Sequence, residues 1–253
     1  MRIDSHVHMP SQNGIWGIPF FESHKYLDFM DEINVDRSVI LPLDGLFLDP
    51  VTSNNELHNW CSRDTTRLIP FFTFEPRDKR AKDEIRRCYE ELGMKGVKLH
   101  TWLQGFRPTE DCFIPLAEYL AELGLPVLFH DGTPPYSTPL QIAELARMIP
   151  ELRIILGHGG LYDFAQEAII AANKYPNISI SMTSLPTHHM KALIKNVNSK
   201  QLMFGSDGGL NSLEKHSYVK LRWEMFDSLD ITESLRTEIL SVNPERLIDR
   251  GDV

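Results

Sequence analysis

The sequence predicts an α/β chain closed into a single (βα)8 barrel, and three observations carry that expectation. Short β-rich runs alternate with amphipathic helical stretches along the whole chain, giving eight such pairs. The runs are near-continuously apolar (VILPL, LIPFFTF, PVLFH, RIIL), as strands covered on both faces by crossover helices must be. The length of 253 residues is that of one such barrel, and no linker or low-complexity stretch divides residues 1–253 into two domains.

Each element has its own signal. Residues 1–10 (MRIDSHVHMP) open on a very short strand around Ile3, with His6 and His8 at its end. Residues 11–19 form a polar, Gly-containing loop in which Trp16 is a candidate lid residue. A helix follows over 22–34, with Tyr26, Leu27, Met30 and Ile33 on its apolar face. The second and third strands are 37–43 and 68–74, with a modest helix over 54–61 between them. Helices over 82–92 and 113–123 end at Gly93 and Gly124, the residue best suited to the left-handed position after a helix. The fourth and fifth strands are 96–100 and 126–130, followed by a helix over 140–148. Strands 153–156, 178–182 and 202–204 alternate with helices over 162–175 and 186–197. Two more helical patterns, 213–228 and 232–242, lead to Asn243-Pro244-Glu245-Arg246-Leu247, which reads as a final helix capped by Asn243 with Pro244 in its first turn.

Composition narrows the functional classes. Lys and Arg total 26 against 35 Asp and Glu, a net charge of −9, which opposes binding to nucleic acid or an anionic membrane surface. Cys61, Cys88 and Cys112 lack C-x-x-C spacing, so neither a disulfide framework nor a thiolate metal site is expected, and a reducing cytoplasm fits best. The N-terminus has no apolar signal-peptide core, and no apolar run approaches membrane-spanning length. Asn177-Ile178-Ser179 matches a glycosylation acceptor but carries no weight in that setting. A homodimer stays open, since many barrels dimerise.

Barrel active sites form at the C-terminal ends of the strands, so the residues there matter most. His6 and His8 lie two apart in extended chain and point to one side, and imidazole nitrogens are good ligands for zinc and similar ions. His100, His130 and His158 end the fourth, fifth and sixth strands, and Asp207 follows the eighth. Five of the ten histidines thus fall on one predicted rim, in contexts (FHDG, GHGG, GSDGG) whose glycines permit sharp turns and close approach. Any one of them is more simply a hydrogen-bonded structural histidine; the joint placement is what argues for a metal site. His24, His58, His188, His189 and His216 fall in helical or loop stretches and read as surface or cap residues.

The ordered motifs DSHVH at 4–8, GVKLH at 96–100, FHDG at 129–132, GHGG at 157–160, FGSD at 204–207 and NPERL at 243–247 resemble the amidohydrolase superfamily of metal-dependent (βα)8 barrels. The closer similarity is to its amidohydrolase-2 branch, which contains aminocarboxymuconate-semialdehyde decarboxylase and pyrone-dicarboxylate lactonase. The resemblance implies that His6, His8, His130 and Asp207 bind one divalent metal, zinc first and manganese second. It also implies that His158 sits beside the ion as a catalytic or polarising residue. Bound water on such an ion has a pKa of ~7, Asp207 can ligate and also take the water's proton, and His158 can stabilise an oxyanion.

The function expected is hydrolysis of a small carbonyl substrate (lactone, amide or cyclic ester), with nonoxidative decarboxylation of a small carboxylic acid as the alternative. A metal-free lactonase remains open. A TatD-like nuclease also opens with His-x-His, but it uses Glu at the fourth strand's end, where this chain has Lys98-Leu99-His100. A PHP-type phosphoesterase fits the GHGG and GSD contexts poorly, and a non-catalytic barrel would have lost a ligand. Lys98 is expected as an ion-pair partner or a contact for a substrate carboxylate; a carboxylated Lys98 bridging two metals is the less favoured reading. His100, Trp102 as a pocket wall, and Arg107 as an anchor complete the candidate substrate contacts.

Overall fold

The computed structural model describes residues 1–210 and 217–248, apart from the side chains of Trp16 and Ser217. Eight parallel strands follow one another in chain order around a single sheet. They are β1 (Ile3–His8), β2 (Arg37–Leu41), β3 (Leu68–Phe72), β4 (Gly96–Leu99), β5 (Val127–Phe129), β6 (Ile154–Leu156), β7 (Ile178–Ser181) and β8 (Leu202–Met203). The ring closes between β1 and β8: Ser5 N–H donates to the Phe204 carbonyl, His8 N–H to Gly208 and Asp207 N–H to His6, at 2.8–3.0 Å. The predicted (βα)8 barrel is the observed fold.

The connecting helices are α1 (Ser23–Glu32), α2 (Pro50–Cys61), α3 (Ala81–Glu90), α4 (Thr101–Gln104), α5 (Ile114–Glu122), α6 (Pro139–Met148), α7 (Ala165–Lys174), α8 (Thr187–Asn196) and α9 (Ser217–Asp227). Two apolar layers hold the barrel. Outward-facing strand residues such as Ile40, Phe72, Leu99, Phe129, Leu156 and Ile180 pack under the helices in the larger core. A smaller cluster fills the barrel's interior, where Ile3, Val39, Ile69, Leu128, Ile155 and Met203 meet Leu247 and Ile248.

Several expected boundaries move. The first strand is not confined to the neighbourhood of Ile3; it includes both histidines, all six residues being buried. Its register against β2 shifts between Asp4 and Val7. Such an irregularity breaks the two-residue alternation. Ile3 belongs to the interior cluster, whereas Val7 packs with the outer core and leaves His6 and His8 on the interior side. Thr101–Gln104 forms a short helix that periodicity did not reveal. The helix expected from 162 starts at Ala165, because Gly160 and Leu161 both have positive φ and delay it. The first residues of the helix expected over 213–228, and His216 with them, lie outside the described residues.

The C-terminal helix is present but differs in build. α10 (Glu233–Thr237), a π-helical turn (Glu238–Val242) and α11 (Asn243–Ile248) run on without interruption. Asn243 therefore does not cap a new helix; it has helical backbone angles, and its amide donates to the Ser199 and Leu202 carbonyls at 2.7 and 2.8 Å. The loop over 11–19 contains a 3-10 turn at Ile15–Gly17 and is tied down by Asp44, whose Oδ2 accepts from Gln12 N–H and from the Asn13 backbone and side chain.

Candidate metal centre at the barrel mouth

His6 and His8 arrive on β1, and Asp207 comes from the turn after β8. Two backbone features allow the three to meet. Gly205 must be glycine, since a Cβ there would stand 2.5 Å from His6 Cβ and 2.6 Å from Thr183 Oγ1. Gly209, at a φ of 84°, would otherwise collide with the His8 carbonyl. The glycines that flank Asp207 in the sequence thus let the end of the eighth strand press against the first.

Asp207 Oδ1 lies 3.5 Å from His6 Nε2 and 3.5 Å from His8 Nε2. Among the described residues, the ligand atoms of these three side chains all fall within 4.8 Å of one another. The His6 tautomer follows from its second nitrogen, because Nδ1 is 3.2 Å from the Gly157 carbonyl, which can only accept. Nδ1 therefore carries the proton and Nε2 turns its lone pair to the centre, the arrangement a metal-binding histidine needs.

The remaining histidines form a contiguous band. His158 packs 4.8 Å from His6 and 4.2 Å from His130, centroid to centroid, and His130 stacks on His100 at 3.9 Å with 9° between the planes. His130, expected as a fourth ligand, is not within the close group of ligand atoms but sits one ring away. Lys98 is fully buried, with Nζ 3.4 Å from His6 Nε2. Among the described residues it forms no ion pair. Trp102, on α4, is 54% exposed with its ring 6.2 Å from His100, a suitable position for a wall of the mouth. Arg107 is exposed after α4; its backbone N–H bonds Glu110, and none of its described contacts reaches the cluster.

Burial dominates the electrostatics. It pushes the pKa of His6, His8 and His130 down, with the nearby Lys98 acting in the same direction. His158 is lowered to about 3 and His100 to about 2, again mainly by burial. These rings are neutral at pH 7, so His158 can donate only as a neutral imidazole. Burial pushes Asp207 up, but the close approach of the His8 side chain leads the influences that outweigh it and hold the carboxylate well below its usual range. Lys98 is lowered to about 8 by burial.

These observations fit a divalent cation. Asp207 Oδ1 is buried, charged and without a hydrogen-bond donor, and it faces two nitrogens of neutral rings. A buried carboxylate oxygen left unpaired is costly, and a cation at the convergence point of these atoms removes that cost.

Sequence reasoning missed several supporting residues. Asp4 Oδ1 accepts from His6 N–H at 3.2 Å and Ser206 N–H at 2.9 Å, joining β1 to the turn after β8, which carry the candidate ligands. Asp131 is buried and accepts from the His158 and Gly160 amides, so it shapes the GHGG turn. Burial raises both carboxyls to about 6. Ser184 reaches Asp207 from the other side, with Tyr218 behind it. Asp4 and Asp131 stood inside the quoted motifs, where a carboxylate next to a turn was a usable signal; Ser184 and Tyr218 had none.

The geometry defines a class, a (βα)8 barrel with a His-x-His/Asp centre at the C-terminal ends of its strands. The chain matches the amidohydrolase family Amidohydro_2 over residues 3–250, and it belongs to that family, whose members are enzymes. Solved structures are similar over nearly their whole length. One is a dihydroxybenzoic acid decarboxylase from Polaromonas with bound manganese and the inhibitor 2-nitroresorcinol, at 16% identity and a TM-score of 0.76, covering 98% of this chain and 96% of that one. Another is a 4-oxalomesaconate hydratase from Rhodopseudomonas palustris, at 16% identity and a TM-score of 0.73, covering 98% and 95%. A third is a probable 2-pyrone-4,6-dicarboxylic acid hydrolase from Acinetobacter baumannii with citric acid bound, at 16% identity and a TM-score of 0.74, covering 98% of each chain. At such identities the likeness speaks for the fold. No curated protein matches the sequence. The family match gives the nuclease alternative no support. Among the described residues, no helix is long and apolar enough to cross a membrane.

Proposed function

We propose that the chain is a metal-dependent hydrolase of a small carbonyl substrate, a lactone, amide or cyclic ester. His6, His8 and Asp207 hold one divalent ion, and His130 is the candidate fourth ligand. The observation that carries this reading is the convergence of His6 Nε2, His8 Nε2 and Asp207 Oδ1, with the His6 tautomer set by Gly157. Two nitrogens and a carboxylate oxygen suit zinc or manganese. A bound ion would supply Lewis acidity and a water with a pKa near ~7.

The chain's own residues divide the remaining tasks. Asp207, ionised and with Oδ1 toward the centre, accepts a proton from water. His158 lies against His6, and neither ring nitrogen has a close hydrogen-bond partner among the described residues, so its neutral N–H is available to an oxygen that gains negative charge. His100 and Trp102 border the mouth and receive the body of the substrate. The free cysteines Cys61, Cys88 and Cys112 fit a reducing cytoplasmic setting.

One observation favours a second reading, decarboxylation. Lys98 is a buried amine without a carboxylate partner among the described residues, next to the proposed ligand His6, and its ammonium would suit the carboxylate of an acid substrate.

Elemental analysis of the purified, unchelated protein should give about one zinc or manganese per chain. Replacing His6 and His8 together by Ala should abolish that uptake while circular dichroism retains the barrel signature; stoichiometric metal in the double variant would overturn the assignment. Turnover of lactones or amides then selects hydrolysis, and CO2 release from aromatic or unsaturated acids selects decarboxylation.

A further inference from the structure

Asp207 is gripped on its far side by a group that the reading above does not use. Ser184 Oγ donates to Asp207 Oδ2 at 2.8 Å and stands 3.1 Å from Tyr218 Oη. A serine hydroxyl has one proton, and here it is committed to the carboxylate, so in the second contact Ser184 accepts and Tyr218 donates. The three groups form a one-way chain, phenol to hydroxyl to carboxylate, in which each donor strengthens the next.

The backbone shows that this chain is held in place. Ser184 has a φ of 59° and Asp207 a φ of 61°, both in the left-handed region that non-glycine residues seldom occupy. α9 holds the turn that carries Ser184. Tyr218 and Arg222 are four residues apart and share a face of that helix. The Arg222 guanidinium donates through Nη2 to the carbonyl of Leu185, the residue next to Ser184, at 2.6 Å. Tyr218 holds the Ser184 side chain and Arg222 the adjoining backbone.

We infer that Ser184, backed by Tyr218, is a positioning residue that occupies Asp207 Oδ2 and so presents Oδ1 alone to the imidazole nitrogens of His6 and His8. Without that hydrogen bond the carboxylate is free to rotate and to offer the centre either oxygen or both. The inference rests on the proposed role of Asp207 as a metal ligand. It concerns the divalent-ion affinity of the chain as well as its rate, since partners that orient a ligand typically account for 10–100-fold in metal affinity.

Ser184→Gly is the informative variant, because it removes the hydroxyl while glycine accepts the positive φ without strain. Zinc affinity is read by competition with a chromophoric chelator, and the visible spectrum of the cobalt-loaded protein reports the coordination. Ser184→Gly should bind zinc about 10-fold more weakly with an altered cobalt spectrum, while the melting temperature of the chelated protein stays the same or rises. Tyr218→Phe should shift affinity in the same direction by a smaller factor. The double variant should be no weaker than Ser184→Gly, because Tyr218 acts through Ser184. Ser184→Asn, whose amide can donate and which tolerates the left-handed region, should recover part of the loss. Wild-type affinity and spectrum in Ser184→Gly, or independent, multiplying losses in the double variant, would overturn the inference. A wild-type protein that takes up no stoichiometric metal would instead overturn the metal site itself, and the role of Ser184 with it.

Discussion

Asp131 touches no proposed ligand atom, yet both of its oxygens are spent. One accepts from the His158 amide and the other from the Gly160 amide, which bends the chain so that the His158 ring faces His6. Asparagine is nearly isosteric, but it has one acceptor oxygen, and its NH2 would face an N–H. A buried donor left in that state costs roughly 1–3 kcal/mol. Asp131→Asn should therefore lower stability by about 2 kcal/mol in urea unfolding and reduce turnover, while metal stoichiometry is kept. An unchanged unfolding midpoint would show that the turn holds without it. This residue also marks how much of the site was legible. His6, His8, His158 and Asp207 could be found because a candidate ligand or polarising group has a distinctive residue type at a distinctive place, the end of a strand. The groups that aim those ligands are recognisable only by their partners. Gly157 acts through a carbonyl, Ser184 through a positive φ, and Tyr218 by reaching across from α9. None of those properties is written in local sequence.

At the scale of elements, the alternation of apolar runs and amphipathic stretches was enough to place all eight strands, because each run must be buried on two sides. What the pattern did not carry was context. The histidines of β1 look polar and therefore strand-terminal, but a register shift keeps them in the sheet and turns them inward. The Asn-Pro pair at 243–244 looks like a helix start because those residues favour caps, yet the preceding turn continues straight into it. Asn243 is spent on tertiary contacts instead: its amide bonds the carbonyls of Ser199 and Leu202, at the base of β8, and Leu247 and Ile248 then close the bottom of the barrel's interior. Asn243→Ala would leave both carbonyls without that donor in a site where Asn243 is 1% exposed. The expected loss is about 2 kcal/mol, measured by denaturant unfolding, with little change in metal affinity because the mouth lies at the opposite end. A drop in metal affinity at unchanged stability would mean that this helix acts on the centre and does not merely seal the base.

For the whole molecule, the cost of gathering so many titratable groups at one end of the barrel should appear as acid sensitivity. His6, His8, His100, His130 and His158 all have pKa values lowered in the folded state, first of all by burial. In the unfolded chain each takes up a proton near its ordinary value of about 6.5. A depressed folded pKa means that these groups leave stability intact above about pH 6.5 and remove it as the pH falls below that value, since the unfolded state then binds more protons. Asp4 and Asp131 oppose this, because their carboxyls, raised to about 6, are protonated in the folded state before they would be in the unfolded chain. Five imidazoles against two carboxyls leave a net uptake of protons by the site when the metal-stripped protein unfolds in mild acid. Chelated protein should thus lose stability steeply between pH 6.5 and pH 5, and zinc should shift the loss to lower pH, because a ligand that binds only the folded state stabilises it further, by about 2.7 kcal/mol at a hundredfold excess over its Kd. Urea midpoints measured across that range, with and without zinc, test both statements. A flat profile for the chelated protein would mean that the buried histidines are charged in the folded state. In that case the fold would not keep the imidazoles of the proposed metal site neutral below about pH 6.5.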